Sequence, residues 1–236
     1  MNSWLEKLSD TFIKTGYYRL MLEGFANTLI ITLGALLIGV VIGTLVALIK
    51  YLGSNNKYLK PVCVICDIYV TVIRGIPVVV LLLIFYFIIF TSANGITVGI
   101  LTFGINSGAY MAELIRSGIN AVDAGQMEAG RSLGMSKLQT VRTIILPQAL
   151  QYILPAIGNE MIALLKETSV AGYVAVVDLT RAGNLVRNNT YDPVNPLMLV
   201  AITYLILVVL LTGLLKRLER KMSRGHNKKS KKSKTK

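Results

Sequence analysis

Charge is scarce in this sequence, and cysteine and histidine are scarcer. Only 16% of its 236 residues are charged while 53% are hydrophobic, and mean hydropathy is +0.60. An ordinary soluble domain carries about 25% charged residues, so the composition excludes one and indicates an integral membrane protein. The single histidine, His226, sits near the C-terminus and cannot anchor a metal or catalytic site. The two cysteines, Cys63 and Cys66, form a lone C-x-x-C inside an apolar segment. Without a second pair they read as two small residues on one helix face, so no metal is expected. There is no Gly-Lys dipeptide, hence no Walker A phosphate loop, and no H-E-x-x-H, G-x-S-x-G or dinucleotide fingerprint. Nucleotide hydrolysis by this chain is excluded. A secretory signal is not expected either, because charges are scattered through residues 1–20.

Acidic residues are few: 12 against 25 lysines and arginines, a formal net charge of +13. Eleven of the basic residues lie from Lys216 onward. The segment 221–236 is low-complexity and reads as a disordered basic tail. No aromatic residue interleaves its lysines, which argues against nucleic acid. After an apolar run, such a tail sets topology and favours anionic membrane lipids.

Long hydrophobic runs are what the sequence does have. A spanning helix needs about 20 apolar residues, and five spans are expected, near 25–49, 61–90, 95–115, 144–165 and 194–215. The second carries Asp67 and Arg74 and is interrupted at Gly75 and Pro77. Residues 1–24, with Trp4, Leu8 and Phe12 at helical spacing, read as an amphipathic interfacial segment. The loop 50–60, the stretch 117–142 and the tail fall on one side, and all are basic. By the positive-inside rule that side is cytoplasmic, with the N-terminus outside. The pairs Gly39/Gly43, Gly95/Gly99 and Gly104/Gly108 read as close helix packing within the chain.

Charges at membrane depth cost at least about 2.5 to 3.5 kcal/mol each and need a reason. Asp67 and Arg74, seven residues apart, read as an ion pair on one helix face. Glu160 follows Pro147 by 13 residues, which places it about 20 Å into the bilayer core. Structural and substrate-binding roles for it stay open. Interrupted helices present backbone ends to substrates, so Arg74, Gly75 and Pro77 are candidates to receive a carboxylate. Glu160 would receive an amino group, with Asn106 and Ser107 nearby. Lys166 and Glu167 read as snorkelling or paired.

The sequence EAGRSLGMSKLQ (128–139) reads as two short helices meeting at a corner in water. Glu128 and Arg131 suit a helical ion pair, Gly134 a left-handed cap, and Ser136 with Gln139 a capping box.

Three stretches together resemble a known family: YVTVIRGIPVVVLLLIFYF (69–87), the segment 108–150 that begins GAYMAELIR and ends ILPQAL, and LPAIGNEMIALLKETSV (154–170). They look like the permease subunit of polar amino-acid ABC importers, over about residues 25–220. The resemblance implies an all-α transmembrane domain of the type I importer fold. It implies that the corner is a coupling helix docking on a separate ATPase subunit through Ala124, Glu128, Ala129, Gly130, Arg131, Leu133 and Gly134. It also implies a second permease, an extracytoplasmic solute-binding protein, and ATP and Mg used only by the ATPase. The expected cargo is a polar L-amino acid, with arginine, lysine or histidine favoured by the intramembrane acid and glutamine also allowed. Gly130 stands where that family usually has alanine, which softens the helix by about 1 kcal/mol. An ion-coupled secondary transporter remains the alternative.

Overall fold

The computed structural model describes residue 12 and residues 16–53 and 57–233, with side chains to residue 221. Among these residues there is no strand. Helix α1 (Tyr17–Gly53) begins well before the expected apolar run and continues to its end. After a short 3-10 turn come α2 (Lys60–Gly75) and α3 (Val78–Ile84), the latter prolonged by a π-helical segment, Phe85–Ile89. Helix α4 (Gly95–Asn120) follows, capped by the Asn94 side chain, which accepts from the Thr97 amide at 2.8 Å. Two short helices, α5 (Gly125–Ser132) and α6 (Lys137–Thr140), lead through a π segment into α7 (Leu146–Glu167). A 3-10 segment, Thr168–Val174, precedes α8 (Leu179–Thr190) and the long α9 (Asn195–Ser233).

The expected single span 61–90 is not straight. Its two halves, Lys57–Gly75 and Val78–Ile89, meet at 105°. Pro77 has no amide hydrogen for the preceding turn, and its carbonyl instead starts a new helix by accepting from Val80 and Leu81 at 2.9 and 3.1 Å. Three helices, α1, α4 and the Asn195–Lys221 part of α9, are long and apolar enough to cross a membrane; the bent pair makes a fourth if it is one span. The expected span 144–165 falls on α7, 22 residues long, whose apolar content is diluted by Gln148, Gln151, Asn159, Glu160 and Lys166. The expected disordered tail is also drawn differently: α9 continues to Ser233. Lysine and arginine are good helix formers and no proline follows Pro196, so nothing local stops the helix. Trp4 and Leu8 of the expected interfacial segment lie outside the described residues. Phe12 is buried with Met21, Leu179, Ala182, Val186 and Val200.

Helices α1 and α4 form the spine, and their glycines permit it. A Cβ on Gly43 would sit 2.3 Å from the Met111 Cβ, and one on Gly104 2.8 Å from the Ile38 Cβ. The small-residue pairs are therefore used inside the chain. Around this spine, Ile31, Ala35, Leu82, Phe103, Leu164, Ala171, Val174 and Val176 build the main core. Leu36 and Leu83 pack at its edge. A buried Asp178 caps α8, accepting from the Thr180 and Arg181 amides at 2.9 and 3.3 Å. Burial pushes its carboxyl up, and those amides pull it back.

Candidate functional site

Helix α4 carries a polar seam at Asn106, Ser107, Tyr110 and Glu113, which side chains of α2 and α7 reach. Asn106 and Ser107 are buried, at 4% and 0% exposure. The Ser107 hydroxyl donates to Glu160 Oε1 of α7 at 3.1 Å. Two turns of α7 further on, Glu167 Oε2 accepts from Asn106 Nδ2 at 3.5 Å. Tyr69 of α2 donates its hydroxyl to the Ile105 carbonyl at 2.6 Å, pinning α2 to the same stretch.

Arg74 ends α2 just before the break. Its Nη1 donates to Glu113 Oε2, and its guanidinium carbon lies 4.7 Å from the centroid of the Tyr110 ring. Gly75 beside it is open, with no atom within 4 Å of a built Cβ, and Pro77 is exposed. The structure thus joins Ser107 to Glu160, Asn106 to Glu167 and Arg74 to Glu113, with Gly75 and Pro77 following Arg74 at the break. Among the described residues no ion pair or hydrogen bond joins Arg74 to Glu160.

The expected Asp67–Arg74 pair is replaced by two others. Asp67 binds Lys50 at 2.5 Å, and Arg74 binds Glu113. Helical spacing brought the two residues to similar faces, but oppositely charged groups on α1 and α4 come closer than one side chain two turns along the same helix. Glu113 and Tyr110 are the site residues that sequence reading missed. A signal existed: Glu113 is seven residues after Asn106, hence on its face, and ends the uncharged stretch that starts at Gly75.

The second candidate site is the corner of α5 and α6. Gly134 has φ of +81°. Its amide donates to the Arg131 carbonyl at 3.0 Å, and the Met135 amide to the Gly130 carbonyl at 3.1 Å. That pair of bonds is a Schellman ending. The capping box is complete, with Ser136 N to Gln139 Oε1 at 2.8 Å and Gln139 N to Ser136 Oγ at 3.2 Å. Gly130 is buried against α6, and a Cβ there would meet Thr140 Cγ2 at 2.4 Å. The expected softening is offset by this contact. The expected Glu128–Arg131 pair is absent among the described residues; Arg131 Nη1 donates instead to the Met135 carbonyl at 2.7 Å. Ala124, Glu128, Ala129, Arg131 and Gly134 are exposed, and Leu133 is 80% exposed. Gln148 Nε2 donates to Gln126 Oε1 at 3.3 Å, tying the corner to α7. Leu138 of α6 is 76% exposed as well, so the corner carries two open apolar side chains.

Residues 39–224 match the family described as the binding-protein-dependent transport system inner membrane component. Over 206 residues the chain is 37% identical to the putative glutamine transport system permease protein GlnP of Rickettsia prowazekii, covering 86% of this chain and 92% of that one. It is 35% identical over 206 residues to the arginine transport system permease protein ArtQ of Bacillus subtilis, with coverage of 86% and 92%. The crystal structure of an amino acid ABC transporter with histidines superposes with a TM-score of 0.81 at 38% identity, covering 88% of this chain and 96% of that one. An inward-facing MetNI methionine ABC transporter shares the fold at a TM-score of 0.73 and 24% identity, covering 86% and 96%.

Proposed function

This chain belongs to the family of binding-protein-dependent transport system inner membrane components, as a permease of the polar amino-acid ABC importers of bacteria, and we propose that it passes its cargo by alternating access. In this reading two permease subunits, identical or homologous, stand on two ATPases, which alone bind ATP and Mg. An extracytoplasmic solute-binding protein delivers the amino acid. The corner at Ala124, Glu128, Ala129, Gly130, Arg131, Leu133 and Gly134 docks on the ATPase and moves with it as one body. Its capped, glycine-locked geometry suits transmission of force.

The substrate meets the polar seam. Glu160, oriented by Ser107, receives the α-amino group or a cationic side chain. Arg74 and the broken backbone at Gly75–Pro77 receive the carboxylate, in exchange with Glu113. Asn106 and Glu167 complete the seam. One observation supports the lean toward arginine, lysine or histidine: among the described residues Arg74 is ion-paired to Glu113 and acts on Glu160 only at a distance, so Glu160 lacks an ion-pair partner. A substrate cation would supply it.

The test is ATPase stimulation and uptake in the reconstituted importer, with its binding protein and a panel of arginine, lysine, histidine and glutamine. Cationic substrates are expected to stimulate most, and Glu160→Gln to lower apparent affinity about tenfold, the weight of a hydrogen bond to a charged group. Unchanged affinity and uptake in Glu160→Gln would remove Glu160 from the path. Transport that collapses with an uncoupler but survives ATP depletion would replace the ATP-driven reading by an ion-coupled one.

A further inference from the structure

The last turns of α1 and α4 stand side by side at the corner end of the molecule. Between them lies a cavity of about 310 Å³ lined by Ala47, Lys50, Tyr51, Arg116, Ile119 and Asn120. Its floor is apolar and its rim carries cations and donors. Arg116 is exposed and has no hydrogen bond or ion pair among the described residues. Lys50 bonds Asp67 at 2.5 Å, and the Lys137 ammonium of α6 lies 5.9 Å from the Tyr51 ring centroid.

Three cations against one carboxylate leave two positive charges. The C-terminal ends of two helices contribute about half a negative charge each, so an excess of about one positive charge remains in a concave site. Lys50 closes the uncharged run of α1 that starts at Phe25, which sets the cavity where hydrocarbon gives way to head groups. On the flank of α1 adjoining Tyr51, on the hydrocarbon side of Lys50, Leu45 and Leu48 are 55% and 48% exposed. A soluble anion has no use for that stripe, whereas an acyl chain covers it.

We propose that this cavity holds the phosphate of an anionic phospholipid head group, with Arg116, Lys50 and Asn120 around the phosphate and the acyl chains along Leu45 and Leu48. Basic pockets between membrane helices recognise such head groups by charge. Through Tyr51, whose ring faces the Lys137 ammonium, the cavity adjoins α6 and so links the membrane surface to the corner.

The experiment is native mass spectrometry of the assembled importer, titrated with phosphatidylglycerol or phosphatidylcholine in neutral detergent. Phosphatidylglycerol is expected to be retained in preference. Arg116→Gln weakens its apparent affinity about fivefold, the contribution of one basic residue near an anionic head group. Arg142→Gln, an exposed arginine that does not line the cavity, leaves it unchanged. Arg116 has no partner whose loss would unfold the chain, and Leu48→Gln gives a second variant that weakens retention without altering charge. Equal retention of the two lipids, an unaltered Arg116→Gln, or an equal loss in Arg142→Gln overturns the proposal. Displacement of the lipid by millimolar inorganic phosphate, with Leu48→Gln like wild type, also overturns it and marks a soluble-anion site.

Discussion

Ser107 and Gly134 show how single residues set the two sites. Ser107 is wholly buried, and its hydroxyl has one described acceptor, Glu160. Ser107→Ala removes the donor that orients the carboxylate, and half-maximal stimulation of ATPase activity by substrate is expected to need about tenfold more amino acid. An unaltered concentration dependence would show that the bond is idle in transport. Gly134 holds a φ of +81°, where a Cβ costs about 1 to 2 kcal/mol. Gly134→Ala should loosen the Schellman ending, and hydrogen exchange at the Gly134 and Met135 amides should quicken about tenfold, with exchange in α1 and α4 unchanged. These local features were readable in advance. A glycine before a serine three residues ahead of a glutamine specifies a cap and a capping box from neighbouring chemistry alone. The contact that keeps Gly130 a glycine was not, because Thr140 belongs to the next helix.

Among the elements, the bent pair α2 and α3 is held at its elbow by Arg74 on Glu113 and Tyr110. The break itself was legible, since proline at position 77 cannot continue the helix. Its partner was not: Glu113 is 39 residues away in sequence, and only the crossing of α2 over α4 selects it above Asp67. If the pair acts as one clamp, Arg74→Gln and Glu113→Gln each slow uptake, and the double variant is no slower than the worse single one. A coupling of about 1 to 3 kcal/mol should emerge from that cycle of reconstituted rates. Additive losses would mean that the two residues work separately. The same logic explains why five spans, the second of them interrupted, were expected and three clear ones with a bent pair are found. Hydrophobic runs give the number of apolar segments, but a helix such as α7 that lines a polar seam dilutes its own signal with Gln148, Gln151, Asn159 and Glu160.

For the molecule as a whole, the distribution of lysines and arginines predicts an orientation with the corner in the cytosol. In a Cys63→Ala, Cys66→Ala background, Ser136→Cys should react with a membrane-impermeant maleimide in inside-out vesicles and stay unlabelled in intact cells. Labelling in intact cells would invert the topology and detach the corner from any cytosolic ATPase. If the corner docks on an ATPase as proposed, the bridge from Gln126 to Gln148 acquires a mechanical meaning. It bolts the handle to the foot of the same rod whose upper part bears Glu160, 12 residues or about 18 Å along the axis. Pro155 lies between the two, a joint where the rod can flex before torque reaches the carboxylate, so a stroke at the handle arrives as tilt rather than as translation.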